Sequence, residues 1–179
     1  MMSLNFAFWM FVFLFAVVGA MRGWAKELLV MTGVILALFI ISVMVRFIPP
    51  VQAFFINPSN VRTQFWTQVI IVVLLAFFAY QTPNIPNIPS ARFARERLSD
   101  VLLGFFLGGL NGFLIVGTLW FFIEQAGYPF PDITPPPSDL LVLDYLPPKL
   151  LILEGNAYTN PNIFFAVAVS FLFVLVVFI

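Results

Sequence analysis

Five runs of this chain approach the ~20 apolar residues a helix needs to cross a hydrocarbon core of ~30 Å: residues 4–21, 28–48, 65–80, 101–123 and 162–179. The composition agrees: 62% of residues are hydrophobic and 9% charged, against roughly a quarter charged in soluble domains. These features predict an all-α, polytopic transmembrane helical bundle with four core spans and a fifth C-terminal one. The chain has no cysteine and no histidine, which excludes disulfides, thiolate metal sites and imidazole chemistry. Neither cofactor nor metal is expected. No two aspartates lie deep in different spans, so a carboxylate dyad is excluded as well, and the chain reads as non-enzymatic.

The first run competes with a secretory signal, because Val18-Gly19-Ala20 resembles a small-residue cleavage site. No Lys or Arg precedes it, and Arg22 and Lys26 follow it at once, which favours a retained helix. In the second run Gly33 and Ala37 place small residues four apart, and Pro49-Pro50 ends the helix. The third, flanked by Trp66 and Tyr80, is short and is expected to begin nearer Val61. Prolines at 83, 86 and 89 fit a stiff, extended spacer. Ser90 then caps a turn whose polar face holds Arg92, Arg95, Glu96 and Ser99, lying on the membrane surface before the fourth run.

The fourth run is the most informative. Asp100, Gly104, Gly108, Asn111, Ile115 and Thr118 share one helix face, whereas Phe106, Leu110, Phe113 and Trp120 are expected to face lipid. Gly104, Gly108 and Gly112 form overlapping small-residue motifs that let backbones approach, inside one bundle or between two copies. Asn111 on that face is expected to bond a neighbouring helix, a water-filled path being the alternative. At the same depth lie Arg22, Lys26, Glu27 and Asp100; Arg22 or Lys26 pairing with Asp100 is one reading, separate snorkelling charges the other.

Residues 128–160 form an acidic, proline-rich connection. Within it 140–153 is apolar but interrupted by Asp144 and Pro147-Pro148, and reads as a surface lid or interfacial segment. Counting Lys and Arg by side, the turns after the first and third runs hold Arg22, Lys26, Arg92, Arg95 and Arg97, and the other side holds Arg46, Arg62 and Lys149. That asymmetry places the first set in the cytoplasm, with the N-terminus and the acidic connection outside.

Two stretches resemble the colicin V production protein family of bacterial inner-membrane proteins. Arg22-Gly23-Trp24-Ala25-Lys26-Glu27-Leu28 is similar to the Arg-Gly, basic, Glu pattern that follows that family's first helix. Asp100-Val101-Leu102-Leu103-Gly104, followed by Gly108 and Gly112, is similar to its Asp-led, glycine-spaced fourth helix. The resemblance covers residues 1–127, with 161–179 an addition to the usual four-helix plan. Val101 and Asn111 stand where the family often carries basic residues. The resemblance implies a bacterial inner-membrane protein that assists colicin V production or export and envelope maintenance, with no catalytic residues to carry over. The expected partners are the lipid bilayer and either further copies of the chain or other membrane proteins, not nucleic acid. A small-solute or ion conduit is the alternative.

Overall fold

The computed structural model describes residues 3–81, 94–131, 133, 135–137, 141–154 and 157–178. The expected proline spacer at 83–89, the Ser90 cap and Arg92 lie outside the described residues, as do the side chains of Arg95 and Glu96.

Helix α1 (Leu4–Arg22) opens on Ser3, whose hydroxyl accepts from the Phe6 N–H at 3.2 Å. It stops at Gly23, whose φ of 87° favours glycine, and α2 (Trp24–Phe47) starts directly afterwards. The proline pair that ends α2 also begins the next element, α3 (Pro49–Ile56): proline lacks the N–H that a first-turn residue leaves unused and arrives with helical φ. This short helix was not anticipated. A 3₁₀ turn (Pro58–Asn60) leads into α4 (Val61–Tyr80), which begins at Val61 as expected. Helix α5 (Ala94–Gln125) has 32 residues, about 48 Å of helix. Over the described residues, the expected surface turn and the fourth span are therefore one continuous rod.

Among the described residues four helices, α1, α2, α4 and α5, are long and apolar enough to cross a membrane, and the chain is a multi-pass membrane protein. The last helix, α8 (Asn162–Phe178), has 17 residues, about 25 Å, and packs on α2 through Ile35, Leu38 and Ile163. Helix α1 lies antiparallel against α5: Gly19 meets Gly104 and Gly108, Phe15 meets Gly108 and Gly112, and Phe8 meets Gly117. Helix α2 occupies the middle, touching α4, α5 and α8.

One expectation about side-chain placement is corrected. Phe106 and Leu110 are exposed as expected, but Trp120 is only 2% exposed and lies with its ring centroid 5.3 Å from that of Phe8, while Phe113 lies 6.0 Å from Phe8. The cause is geometric: a stripe stepping by four residues winds around its helix by about 40° per step, so α1 leaves the glycine face for the Phe113 and Trp120 face. The segment 140–153, expected as a surface lid or interfacial segment, is described from Leu141 onward, and one side of it packs on the bundle while Leu141, Tyr145 and Leu150 stay exposed. It forms α6 (Leu141–Asp144) and α7 (Pro147–Leu151), and Leu143, Leu146, Pro147, Pro148 and Ile152 are buried. The Pro147 ring occupies the space that a side chain at Gly117 would fill. Backbone carbonyls left open at the end of so short a helix need partners, and here Asn160 and Asn162 supply them, donating to the carbonyls of Leu150 and Leu153 at 2.9–3.1 Å.

Candidate functional site at the α1–α2 corner

The corner between α1 and α2 exists because Gly23 turns the chain sharply, bringing Arg22, the last residue of α1, back over the first turn of α2. Arg22 Nη1 lies 2.6 Å from Glu27 Oε1, and the Glu27 side chain is fully buried. Burying a carboxylate in a bundle is expensive unless it is paired and hydrogen-bonded, and both conditions are met. Glu27 Oε2 accepts from Asn111 Nδ2 at 2.8 Å, and the same amide donates to the Glu27 carbonyl at 2.9 Å. Arg22 Nη2 donates to the Tyr80 carbonyl at 3.0 Å, and the guanidinium carbon stands 4.3 Å from the Tyr80 ring centroid, within cation–π range. That carbonyl belongs to the last turn of α4, where helical partners run out. One neutral cluster thus joins the end of α1, the start of α2, the end of α4 and the middle of α5.

Asp100 is placed differently from the expected pairing. Among the described residues the ion pairs are Arg22–Glu27 and Lys149–Glu124, so neither Arg22 nor Lys26 reaches Asp100. Its Oδ1 instead accepts from the Trp24 N–H at 3.1 Å. Gly23 has no side chain to cap α2, and a carboxylate from another helix takes that place, where the positive end of the helix dipole favours it. The two carboxylates have separated roles: Glu27, nearest in sequence, neutralises Arg22, and Asp100 caps the backbone. A β-carbon at Gly23 would lie 2.9 Å from both Asp100 carboxylate oxygens, so the corner needs glycine for space as well as for φ.

The glycine stripe lies immediately above. A β-carbon on Gly19 would run into the Gly104 carbonyl oxygen and come within 2.6 Å of the Gly108 Cα; one on Gly112 would sit 2.7 Å from the Phe15 Cβ. Gly104, Gly108 and Gly112 thus face α1 of the same chain, at backbone-to-backbone distance. Asn111 is fully buried beside them. Its Oδ1, and Thr118 Oγ1 two turns further along α5, find no hydrogen-bond partner among the described residues.

No family model matches this chain, nor does any curated protein or solved structure. Its reading therefore rests on its own residues.

A second polar cluster lies at the opposite end of α5, and the sequence reading missed it. Gln68, buried in α4, donates to the Tyr158 hydroxyl at 3.0 Å, and Gln125 donates to the same oxygen at 2.9 Å. Burial pushes the Tyr158 phenol above its ordinary pKa, while the hydrogen bonds from Gln125 and Gln68 oppose that shift. Lys149 of α7 reaches Glu124 at 3.0 Å. The available signal was Gln68, a polar residue within an apolar run. Gly19 and Tyr80 also belong to the corner, although in the sequence Gly19 reads as part of a possible cleavage site and Tyr80 as a boundary aromatic.

Proposed function

We propose that this chain is a non-enzymatic inner-membrane protein of the colicin V production type, assisting export and envelope maintenance through its helix contacts. The observation that supports this reading is the convergence of the two motifs that carry the resemblance. They are separated by more than seventy residues in sequence, yet Asp100 Oδ1 accepts from the Trp24 N–H and the Glu27 carboxylate accepts from Asn111, so both belong to one structural unit. In this reading the Gly23 corner faces the cytoplasm, and the connection after α5 faces outward. The test is complementation of a colicin-V-producing bacterial strain that lacks a functional copy of the corresponding protein, reading toxin release and envelope leakiness. Restoration by the wild-type chain, lost with Glu27→Gln, is expected. A chain that accumulates in the membrane and restores neither phenotype removes the proposal.

The buried open acceptors Asn111 Oδ1 and Thr118 Oγ1 favour a second reading, a conduit for a small solute or ion. Flux through reconstituted protein that disappears with Asn111→Leu would establish it in place of the first.

A further inference from the structure

Helix α5 carries a polar line that continues beyond the corner. Asn111, Thr118 and Gln125 stand seven residues apart, close to two helical turns, so they fall on one side of α5 at steps of about 10 Å. At one end Asn111 holds Glu27, and at the other Gln125 meets Gln68 of α4 and the Tyr158 hydroxyl. Beside Gln125 a cavity of about 10 Å³, lined also by Gln64 and Gln68, has room for about one water. Thr118 lies between these ends, fully buried, and its hydroxyl finds no partner among the described residues. An unpaired buried hydroxyl costs stability, and a valine of the same shape would fill the space without that cost. The threonine is of use in a second arrangement, one in which water reaches it.

What covers the line is the segment that follows α5. Pro147 sits on Gly117, the residue before Thr118. Leu146 joins the core that holds Phe121 and Phe122, between Thr118 and Gln125, and Leu151 packs on the core of Leu114 and Ile115, between Thr118 and Asn111. These contacts are apolar, and separating them breaks no hydrogen bond. The bonds from Asn160 and Asn162 to Leu150 and Leu153 run within the segment and keep it one unit. Among the described residues the ion pair that fastens α7 to α5 is Lys149–Glu124, partly exposed and therefore weak. We propose that α6 and α7 form a lid over this line, latched by Lys149 on Glu124, whose opening lets water from the Gln125 end reach Thr118. The lid supplies the gate of the conduit reading given above, and its functional meaning rests on that reading.

The chain has no cysteine, so Thr118→Cys gives a single thiol at the covered point. The full-length protein is placed in lipid nanodiscs and treated with a small, charged methanethiosulfonate reagent. Lys149→Glu sets a like charge against Glu124 and should speed labelling roughly fivefold, and adding Glu124→Lys should return the slow rate. Ala16→Cys, also buried but at the α1–α5 contact, should not respond to either change. Where the charge-reversed protein does not fold, salt at about 1 M screens the same pair in the unreversed protein and should give the same acceleration. Labelling of Thr118→Cys that ignores the latch, or that rises equally at Ala16→Cys, overturns the lid. In vesicles with a pH-sensitive dye inside, Lys149→Glu should also speed proton entry, and the reagent on Thr118→Cys should block it. Faster labelling with no proton flux keeps the lid and removes the conduit reading.

Discussion

The two ends of α5 solve the same problem, bringing a neighbour close in a solvent that gives little drive for helices to associate, by opposite means. At the Gly104 end side chains are removed: Gly19, Gly104 and Gly108 let two backbones touch, and what remains of the corner is an ion pair whose carboxylate is buried and braced by Asn111. At the Gly117 end a side chain is inserted: Pro147 fills the notch above glycine, and Leu146 and Ile152 bury themselves behind it. The first arrangement joins two continuous helices and tolerates no displacement. The second holds a short helical segment, whose position depends on a proline ring, asparagine side chains and a partly exposed ion pair. The Gly23 corner should therefore behave as the rigid end of the molecule and the α7 region as the adjustable one.

The largest expected effect is at the corner. Glu27→Gln leaves Arg22 without its counter-ion in a covered position, and removing one partner of a buried pair typically costs about 3–5 kcal/mol. Unfolding of the detergent-solubilised protein should show the loss, and the double variant Arg22→Gln with Glu27→Gln should recover part of it because no unpaired charge remains. A Glu27→Gln protein as stable as wild type would mean that the corner is not the rigid end.

Next come the glycines, where neighbouring positions should differ. A β-carbon at Gly108 would strike the Phe15 carbonyl oxygen, whereas at Gly109 it would meet only the Ala16 Cβ at 3.4 Å. Gly108→Ala should destabilise by about 1–3 kcal/mol, as overpacking does, and Gly109→Ala should be neutral or slightly stabilising through helix propensity. Gly117→Ala should cost less than Gly108→Ala, because the obstacle is the Pro147 ring at 2.7 Å on a segment able to shift rather than the backbone of a long helix. Equal losses at 108 and 117 would erase the distinction between the two ends.

The contrast between the ends also explains what the sequence revealed. Gly104, Gly108 and Gly112 declare their contact by spacing alone, since only a close helix makes use of a stripe without side chains. The apolar runs declare the long helices in the same way, and even the early start of α4 at Val61 was legible. The partner of each charge was not. Arg22, Lys26, Glu27 and Asp100 lie at one depth by any topology, and the choice among them is made by the φ of Gly23, which points α2 so that Glu27 meets Arg22 and the bare N–H of Trp24 meets Asp100. Nor could α7 be read, because a five-residue helix has too few residues to show a period and its burial is decided by Gly117, thirty positions earlier. Trp120 misled for a related reason: its face is lipid-facing for a straight, isolated helix and is covered only because α1 crosses it.

Asp100 gives the third prediction. As a cap supplied from another helix it acts mainly as an acceptor oxygen, with the dipole adding less, so Asp100→Asn should cost no more than about 0.3–1 kcal/mol and Asp100→Ala about 0.5–2 kcal/mol. Asp100→Arg should not be rescued by Arg22→Asp, since the exchange leaves Trp24 uncapped and Glu27 facing a like charge. Rescue by that pair would restore the ion-pair reading and remove the cap.

The smallest effect is expected at the ion pair that pins α7. Lys149 and Glu124 are 3.0 Å apart, a separation close to that of Arg22 and Glu27, yet their side chains retain 30% and 28% exposure, so water and salt screen them. Pairs of this kind contribute ~0–1 kcal/mol, and Lys149→Ala should leave the unfolding transition almost unmoved. The lost contact should appear instead as local freedom. A single cysteine in place of Leu150, which is 43% exposed on α7, should react faster with a thiol reagent in the Lys149→Ala background, and high salt should produce the same acceleration in the protein that keeps Lys149. If neither changes the rate, Pro147 and the asparagine bonds hold α7 without help from the charges. In that case the adjustable end is as rigid as the corner, and the difference between them is confined to how each is built.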